Sequence, residues 1–182
     1  MRIAILGWGS LVWDKRDLSI KGRSKTRGPK LPLEFSRKSS DGRLTLIIDE
    51  NHGTPPTLTR YAISKFKDVG DAVCDLRHRE GTPLSNIGIM GGGVKEQRLP
   101  ASKIAQEAIG AWLKKNKGTI DVVIWTNLGP NDNFAFSGRS AEQYLKSLKG
   151  VCRDKAREYL VRAPKEVKTP LRAQMIRWLK ES

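Results

Sequence analysis

A short loop near the start of the chain carries residue types that bind anions. The apolar run 3–6 is followed by the sequence Gly-Trp-Gly-Ser-Leu at positions 7–11. Glycines let successive backbone N–H groups point into one concavity, which can hold a carboxylate or a developing negative charge. The serine would add a hydroxyl donor, and the tryptophan would shield the site from water. The candidate binding residues are Gly7, Trp8, Gly9, Ser10 and Leu11.

Two other interpretations of this loop compete with the anion site. The first is a plain turn at the end of a strand, with Trp8 packed in the core. The second is a dinucleotide-binding turn, which needs a third glycine and an acidic residue about 20 residues further along. Val12 occupies the position of the third glycine, and the basic segment 23–30 lies where the acidic residue should be. The dinucleotide interpretation therefore fails at two points.

Glu80 is a carboxylate at a position that a helix disfavours. It shares the apolar stripe of a predicted helix and lies at the C-terminal end, before Gly81. The partial negative charge of a helix C-terminus and burial both raise the pKa of a carboxyl group, which suits a general base. The competing interpretation is structural, an ion pair with Arg77, Arg79 or another arginine. The stripe consists of Val69, Ala72, Val73, Leu76 and Glu80.

The cysteines and histidines offer little support for a metal site. Cys74 and His78 have i, i+4 spacing on the predicted helix, but the chain has only 2 histidines and no second close pair of ligands. A nucleophilic pair of Cys74 and His52 would need a contact that the sequence does not indicate. We therefore expect no metal.

These residues must be positioned by strands and helices, which the hydrophobic pattern predicts. Asp41 and Gly42 indicate a hairpin between the second and third strands, and residues 15–30 indicate a basic loop. Strands so close together in the chain favour a mixed or antiparallel sheet, which could curl into a barrel. The predicted strands of this region are 3–6, 31–36, 44–48 and 58–63.

The rest of the chain is mainly helical. Residues 68–80 and 102–115 predict helices, the latter capped by Ser102, and the apolar run 120–125 predicts a central strand. A glycine-rich loop is predicted at 88–93. The C-terminal region, about 139–182, should form two or three helices outside the sheet, with breaks near Pro164 and Pro170. The predicted fold class is α+β, a small mixed sheet or barrel with flanking helices.

The chain of 182 residues suits a single domain, 1–182, and is strongly basic, with a net charge of +15. Much of this charge lies in residues 13–30, with a net charge of +5, and residues 139–182, with +7. The alternative to an enzyme is therefore a nucleic-acid- or anion-binding protein, whose phosphate contacts would make binding salt-dependent. No recognisable nucleic-acid-binding motif accompanies the charge.

The sequence also indicates the cellular compartment in which we expect the protein. No apolar run approaches the roughly 20 residues of a membrane helix, and no signal peptide is recognised at the start. Two cysteines, Cys74 and Cys152, are too few for a disulfide framework. We expect a cytoplasmic protein that acts on a small molecule without a membrane partner, and the oligomeric state stays open.

Taken together, these motifs resemble the gamma-glutamylcyclotransferase superfamily. Its members open with a strand followed by Tyr-Gly-Ser-Leu, and this chain has Trp8-Gly9-Ser10-Leu11 there. Family members then have a strand that begins near a proline, which residues 31–35 resemble. They also have a helix that ends in an acidic residue and a glycine, which residues 76–81 resemble. These short motifs cover about the first 85 residues, in matching order. The Gly-Trp-Gly-Ser-Leu start and the segment 162–164 look closest to a bacterial branch.

The resemblance implies a gamma-glutamylcyclotransferase-like fold and a specific reaction. In such enzymes the α-amine of a γ-glutamyl group attacks its own γ-carbonyl, which releases an amine and 5-oxoproline without a metal or organic cofactor. Carried over to this chain, Glu80 would be the base and residues 9–11 the binding loop. Two features depart from the pattern: Trp8 replaces the tyrosine, and residues 86–97 do not match the strand expected after the catalytic helix.

Overall fold

The computed structural model describes residues 1–130 and 138–181, which form a five-stranded sheet, two short ladders and five α-helices. The strands are β1 (Ile3–Gly7), β2 (Ile20–Lys25), β3 (Lys30–Leu31), β4 (Leu33–Lys38), β5 (Leu44–Ile48), β6 (Thr57–Leu58), β7 (Arg60–Ser64), β8 (Ile87–Gly91) and β9 (Val122–Thr126). The helices are α1 (Val69–Glu80), α2 (Lys103–Lys115), α3 (Gly138–Ser147), α4 (Gly150–Arg162) and α5 (Pro170–Glu181).

The main sheet is mixed, with the strand order β2-β7-β1-β9-β8. The central strand β1 is parallel to β9 and antiparallel to β7. A dinucleotide-binding fold would have a largely parallel sheet and a helix directly after the glycine turn, whereas β1 here is followed by a short 3-10 turn, Ser10–Val12. The predicted α+β class with a small mixed sheet and flanking helices is confirmed, and the dinucleotide interpretation is excluded.

Both faces of β1 are covered, so its alternate side chains enter two different cores. Ile3 and Ile5 belong to the core beneath α1. Ala4 and Leu6 belong to the larger core formed with the β4–β5 hairpin, α2 and the C-terminal helices. Because neighbouring side chains point to opposite faces, a strand between two cores must be apolar throughout. This explains the continuous apolar runs of β1 and β9.

Helix α1 has the predicted span because both of its ends are determined locally. The side chain of Asp68 accepts the N–H of Asp71 at 3.1 Å. Gly81 ends the helix in the left-handed conformation, with φ of 61°. Ser102 caps α2 in the same manner as Asp68 caps α1. Both predicted helices are confirmed.

The predicted glycine-rich loop at 88–93 is wrong in its first half, where residues 87–91 form β8 beside β9. Gly88 lies opposite the fully buried Trp125, and a Cβ on Gly88 would come 2.1 Å from the indole ring. Glycine is therefore required for the tryptophan to lie across β8. Residues 86–97, which depart from the family pattern in sequence, therefore contain the strand expected after α1.

Three other predicted segments change. Residues 20–25 of the predicted basic loop form the edge strand β2, where charged side chains discourage pairing with another chain. The predicted strand 31–36 is divided at Pro32 into β3 and β4, and the strand 58–63 is divided at Thr59 into β6 and β7. Each division separates parts that pair with different strands.

The C-terminal helices lie outside the sheet, as predicted, and their buried side chains belong to the larger core. Leu145, Leu160 and Met175, one from each helix, are buried in the same cluster as Ala4 and Leu6. The region therefore helps to build the fold. Among the described helices, none combines the length and the apolar character needed to cross a membrane.

Candidate active site

A cleft of about 700 Å³ opens beside the glycine loop. Its walls come from the loop after β1, the β4–β5 hairpin, the C-terminal end of α1 and helix α4. The structure thus brings the predicted loop and the predicted base to one site, although their roles stay predictions. The predicted residues that line the cleft are Gly7, Trp8, Gly9, Ser10, Leu11 and Glu80.

Several backbone amides of the loop have no hydrogen-bond partner among the described residues. Its carbonyls are used by the 3-10 turn, since the Gly9 carbonyl accepts the N–H of Val12 at 3.0 Å. The amides of Gly9, Ser10 and Leu11, in contrast, donate to none of the residues that the structure describes. Free amides on consecutive residues beside a cleft are what an anion-binding nest requires.

Trp8 has a packing role within the same loop. It is 6% exposed, and its indole N–H donates to the carbonyl of Leu46 at 3.1 Å. This hydrogen bond connects the loop to β5, and the burial of the side chain agrees with the interpretation that Trp8 packs in the core. Because its donor is committed to Leu46, Trp8 offers a ligand an apolar wall.

Glu80 borders the cleft and pairs with the buried Arg79; their side chains are 18% and 3% exposed. The guanidinium also donates to the Ser10 hydroxyl at 3.4 Å and to the carbonyl of Asp14. The ion pair of the structural interpretation is therefore present. Because Arg79 also contacts Ser10 and Asp14, this pair links Glu80 to the glycine loop. Arg79 binds Oε1 of Glu80, and Oε2 accepts from no residue in the described part of the chain.

Tyr159 reaches the cleft from α4 and was missed by the sequence analysis. Its hydroxyl accepts the N–H of Leu46 at 3.3 Å. Burial raises the pKa of Tyr159 to about 12, and the nearby Glu80 carboxylate contributes to the rise. A tyrosine on a helix is more simply interpreted as core, so no sequence signal connects it with the loop. The sequence predicts Arg79 only as a partner for Glu80, although it follows Leu76 by three residues on the buried face of α1.

The β4–β5 hairpin makes the cleft electropositive. Arg37, Lys38 and Arg43 line this side, and Glu80 is the one carboxylate among the described lining residues. Arg43 is itself paired with Asp41 at 2.8 Å. The excess of positive charge favours an anionic ligand.

The other sequence candidates do not form a comparable site. Cys74 and Cys152 are exposed free thiols, and the His52 ring nitrogen lies 2.9 Å from the Asp49 carboxylate. Within residues 1–130 and 138–181, no three His, Cys, Asp or Glu residues are grouped to hold a metal ion. A further cavity of about 460 Å³ behind the loop has a mainly apolar lining, with no carboxylate among its described residues.

The fold is similar to that of a yeast gamma-glutamyl cyclotransferase specific to glutathione. The two structures align over 100% of this chain and 99% of the yeast chain, with 13% sequence identity and a TM-score of 0.50. At this identity the likeness concerns the fold alone, and it agrees with the gamma-glutamylcyclotransferase-like fold that the motifs predicted. No family model matches the sequence, and no curated protein is significantly similar to it.

Proposed function

We propose that the protein is a cyclotransferase-type enzyme that cleaves a γ-glutamyl amine or a related small amide and releases 5-oxoproline. The observation that carries the proposal is that Glu80 shares a cleft with the free amides of Gly9, Ser10 and Leu11. A base and an oxyanion site are the two groups that this reaction needs. The similar fold of the yeast enzyme supports the same chemistry.

The reaction begins at the α-ammonium group of the substrate. Glu80 accepts a proton from it, and the freed amine attacks the γ-carbonyl carbon of the same molecule. A ring C–N bond forms while the carbonyl electron pair moves to oxygen, where the loop amides stabilise the negative charge. When the intermediate collapses, the bond to the leaving amine breaks and that amine takes the proton from Glu80. Glu80 then accepts the second proton of the ring nitrogen, which leaves a neutral lactam, and passes it to the released amine, which becomes an ammonium ion.

The intramolecular attack limits what the protein must supply. Holding the substrate in a folded conformation is worth an effective concentration of about 10⁵–10⁸ M. Arg79 assists by holding Oε1 of Glu80, which leaves Oε2 for the ammonium. The cations of the hairpin suit the carboxylate of the substrate, because Arg37, Lys38 and Arg43 border the same cleft.

The test is a screen of γ-glutamyl dipeptides, γ-glutamyl amines and glutathione, scored by the release of 5-oxoproline. Glu80→Gln keeps the size of the side chain and removes the base, so we expect turnover to fall by about 10²–10⁴-fold. Glu107→Gln is the matched control, because Glu107 is exposed on α2 and lies outside the cleft. We expect its turnover to equal that of the parent.

Two outcomes would contradict the proposal. If no substrate yields 5-oxoproline with the parent protein, the cyclotransferase function is wrong. If parent and Glu80→Gln proteins form product at the same rate, Glu80 is not the base.

A further inference from the structure

The phenol of Tyr159 lies in the cleft in a fixed position. Its ring makes edge contacts with Trp13 and Phe35, with centroid distances of 5.3 and 6.2 Å. The guanidinium of Arg43 lies 5.4 Å from the ring centroid. Aromatic contacts of this kind hold a buried ring in one orientation, so the hydroxyl has a defined place.

The Tyr159 hydroxyl accepts one hydrogen bond but donates none to the described residues. Its oxygen accepts the N–H of Leu46 at 3.3 Å. Its proton is donated to no acceptor among the residues described. A buried donor without an acceptor costs free energy. The acceptor is therefore expected to arrive with a ligand.

The glycine loop is shaped to admit the hydroxyl. A Cβ on Gly9 would lie 2.3 Å from the phenol oxygen of Tyr159, so glycine is required for this close approach. The phenol thus lies against the loop with the free amides. Trp8 cannot supply the same donor because its indole N–H is bound to Leu46.

We propose that Tyr159 is a catalytic hydrogen-bond donor to the γ-carbonyl oxygen of the substrate, a role that rests on the proposed function. As the amine attacks, the carbonyl electron pair moves to oxygen, and the phenol O–H and the loop amides donate to that oxyanion. As the bond to the leaving amine breaks, the carbonyl forms again. The phenol keeps its proton, and the transferred protons pass through Glu80.

The acidity of the phenol fits this assignment. Burial raises the pKa of Tyr159 to about 12, so the side chain stays protonated where a glutamate can act as a base. It can therefore donate a hydrogen bond in every turnover without exchanging its proton.

The test compares Tyr159→Phe with Tyr144→Phe, using the γ-glutamyl substrate that the screen identifies. Tyr144 is the matched control because its hydroxyl donates to the carbonyl of Gly42 at 2.7 Å and it does not line the cleft. We expect Tyr159→Phe to lower kcat by about 10²–10³-fold, the usual effect of removing one oxyanion donor. KM should change little. Tm should fall by only a few degrees, because phenylalanine leaves the Leu46 N–H without its acceptor and the loss of one hydrogen bond lowers Tm by about 2–4 °C in a chain of this size.

The outcomes separate this role from the proposed function. An active parent, an inactive Glu80→Gln protein and a Tyr159→Phe protein with unchanged kcat would overturn the role of Tyr159 alone. A loss of kcat accompanied by an equal loss in Tyr144→Phe, or by a large fall in Tm, would assign Tyr159 to folding and also overturn it. A parent without turnover would overturn the proposed function and this role with it.

Discussion

Arg79 lies on the buried face of α1, yet its guanidinium contacts the Glu80 carboxylate, the Ser10 hydroxyl and the carbonyl of Asp14. A buried arginine is tolerated when most of its donors find acceptors. The three acceptors lie in two different segments, so Arg79 holds the end of α1 against the glycine loop. It is therefore expected to stabilise the protein and to orient Glu80.

Replacing Arg79 by lysine tests both expectations. Lysine keeps the charge, but its single ammonium cannot reproduce the planar fork that reaches all three acceptors. We expect Arg79→Lys to lower the free energy of unfolding by about 1–3 kcal/mol, measured by urea denaturation, and to lower kcat more than it raises KM.

Arg77→Lys provides the matched control, because Arg77 is exposed on the same helix. Its free energy of unfolding should stay within about 0.5 kcal/mol of the parent value. Equal losses in the two variants would show that Arg79 has no special role.

Helix α5 is joined to the β4–β5 hairpin through its N-terminus. Glu34 of β4 is fully buried, and one carboxylate oxygen accepts the N–H of Leu171 at 3.1 Å. Thr169 accepts the N–H of Arg172 at 3.2 Å with its own hydroxyl and caps the same end. A carboxylate suits the positive end of a helix, so Glu34 joins the C-terminal helices to the hairpin beside the cleft.

The stability contribution of Glu34 should depend on pH. Burial raises its pKa above the ordinary value of 4.5, although hydrogen bonds from Thr169, Phe35 and Leu171 oppose the rise. The folded state therefore binds the proton more tightly than the unfolded chain. The penalty for burying the carboxylate is present above the folded pKa and disappears as the pH falls through that pKa toward 4.5.

Urea denaturation of the parent and of Glu34→Gln across this range measures the effect. The free energy of unfolding of the parent, relative to Glu34→Gln, should rise as the pH is lowered. Glu107→Gln, which changes an exposed carboxylate, should show no such trend relative to the parent. A difference between parent and Glu34→Gln that is constant with pH would contradict the predicted shift.

The net charge of +15 is a property of the whole surface. Part of it lies on the edge strand β2, where Lys21, Arg23 and Lys25 are exposed. Charged side chains at a sheet edge prevent pairing with other chains. The charge of this segment therefore has a physical reason that needs no nucleic acid as partner, and the nucleic-acid alternative stays a prediction to be tested.

Filter binding to unrelated DNA and RNA sequences tests the nucleic-acid alternative. We expect similar, weak retention of all sequences at about 50 mM salt and its loss by about 200 mM salt, because phosphate contacts release counterions. Substituting Lys21, Arg23 and Lys25 by glutamine should weaken retention uniformly. Tight binding of one sequence at the higher salt concentration would favour a nucleic-acid function.

Features with local physical causes could be predicted from the sequence. The span of α1 follows from Asp68 and Gly81 at its ends, and the hairpin follows from Asp41 and Gly42. The glycine loop and Glu80 were found in the same way, because glycine spacing and a carboxylate on an apolar stripe are visible within one short segment. Both border the cleft in the structure.

Contacts between distant segments could not be predicted in this way. Helical spacing indicates that Tyr159 faces a core, but its position against Gly9 depends on how α4 packs over the hairpin. Gly88 indicated a loop until its pairing with Trp125 was known. The period of a hydrophobic pattern indicates which side of a helix or strand is buried, but not which other element covers that side. The covering element is determined by sheet order and helix packing, because burying all the apolar faces together is a property of the complete chain.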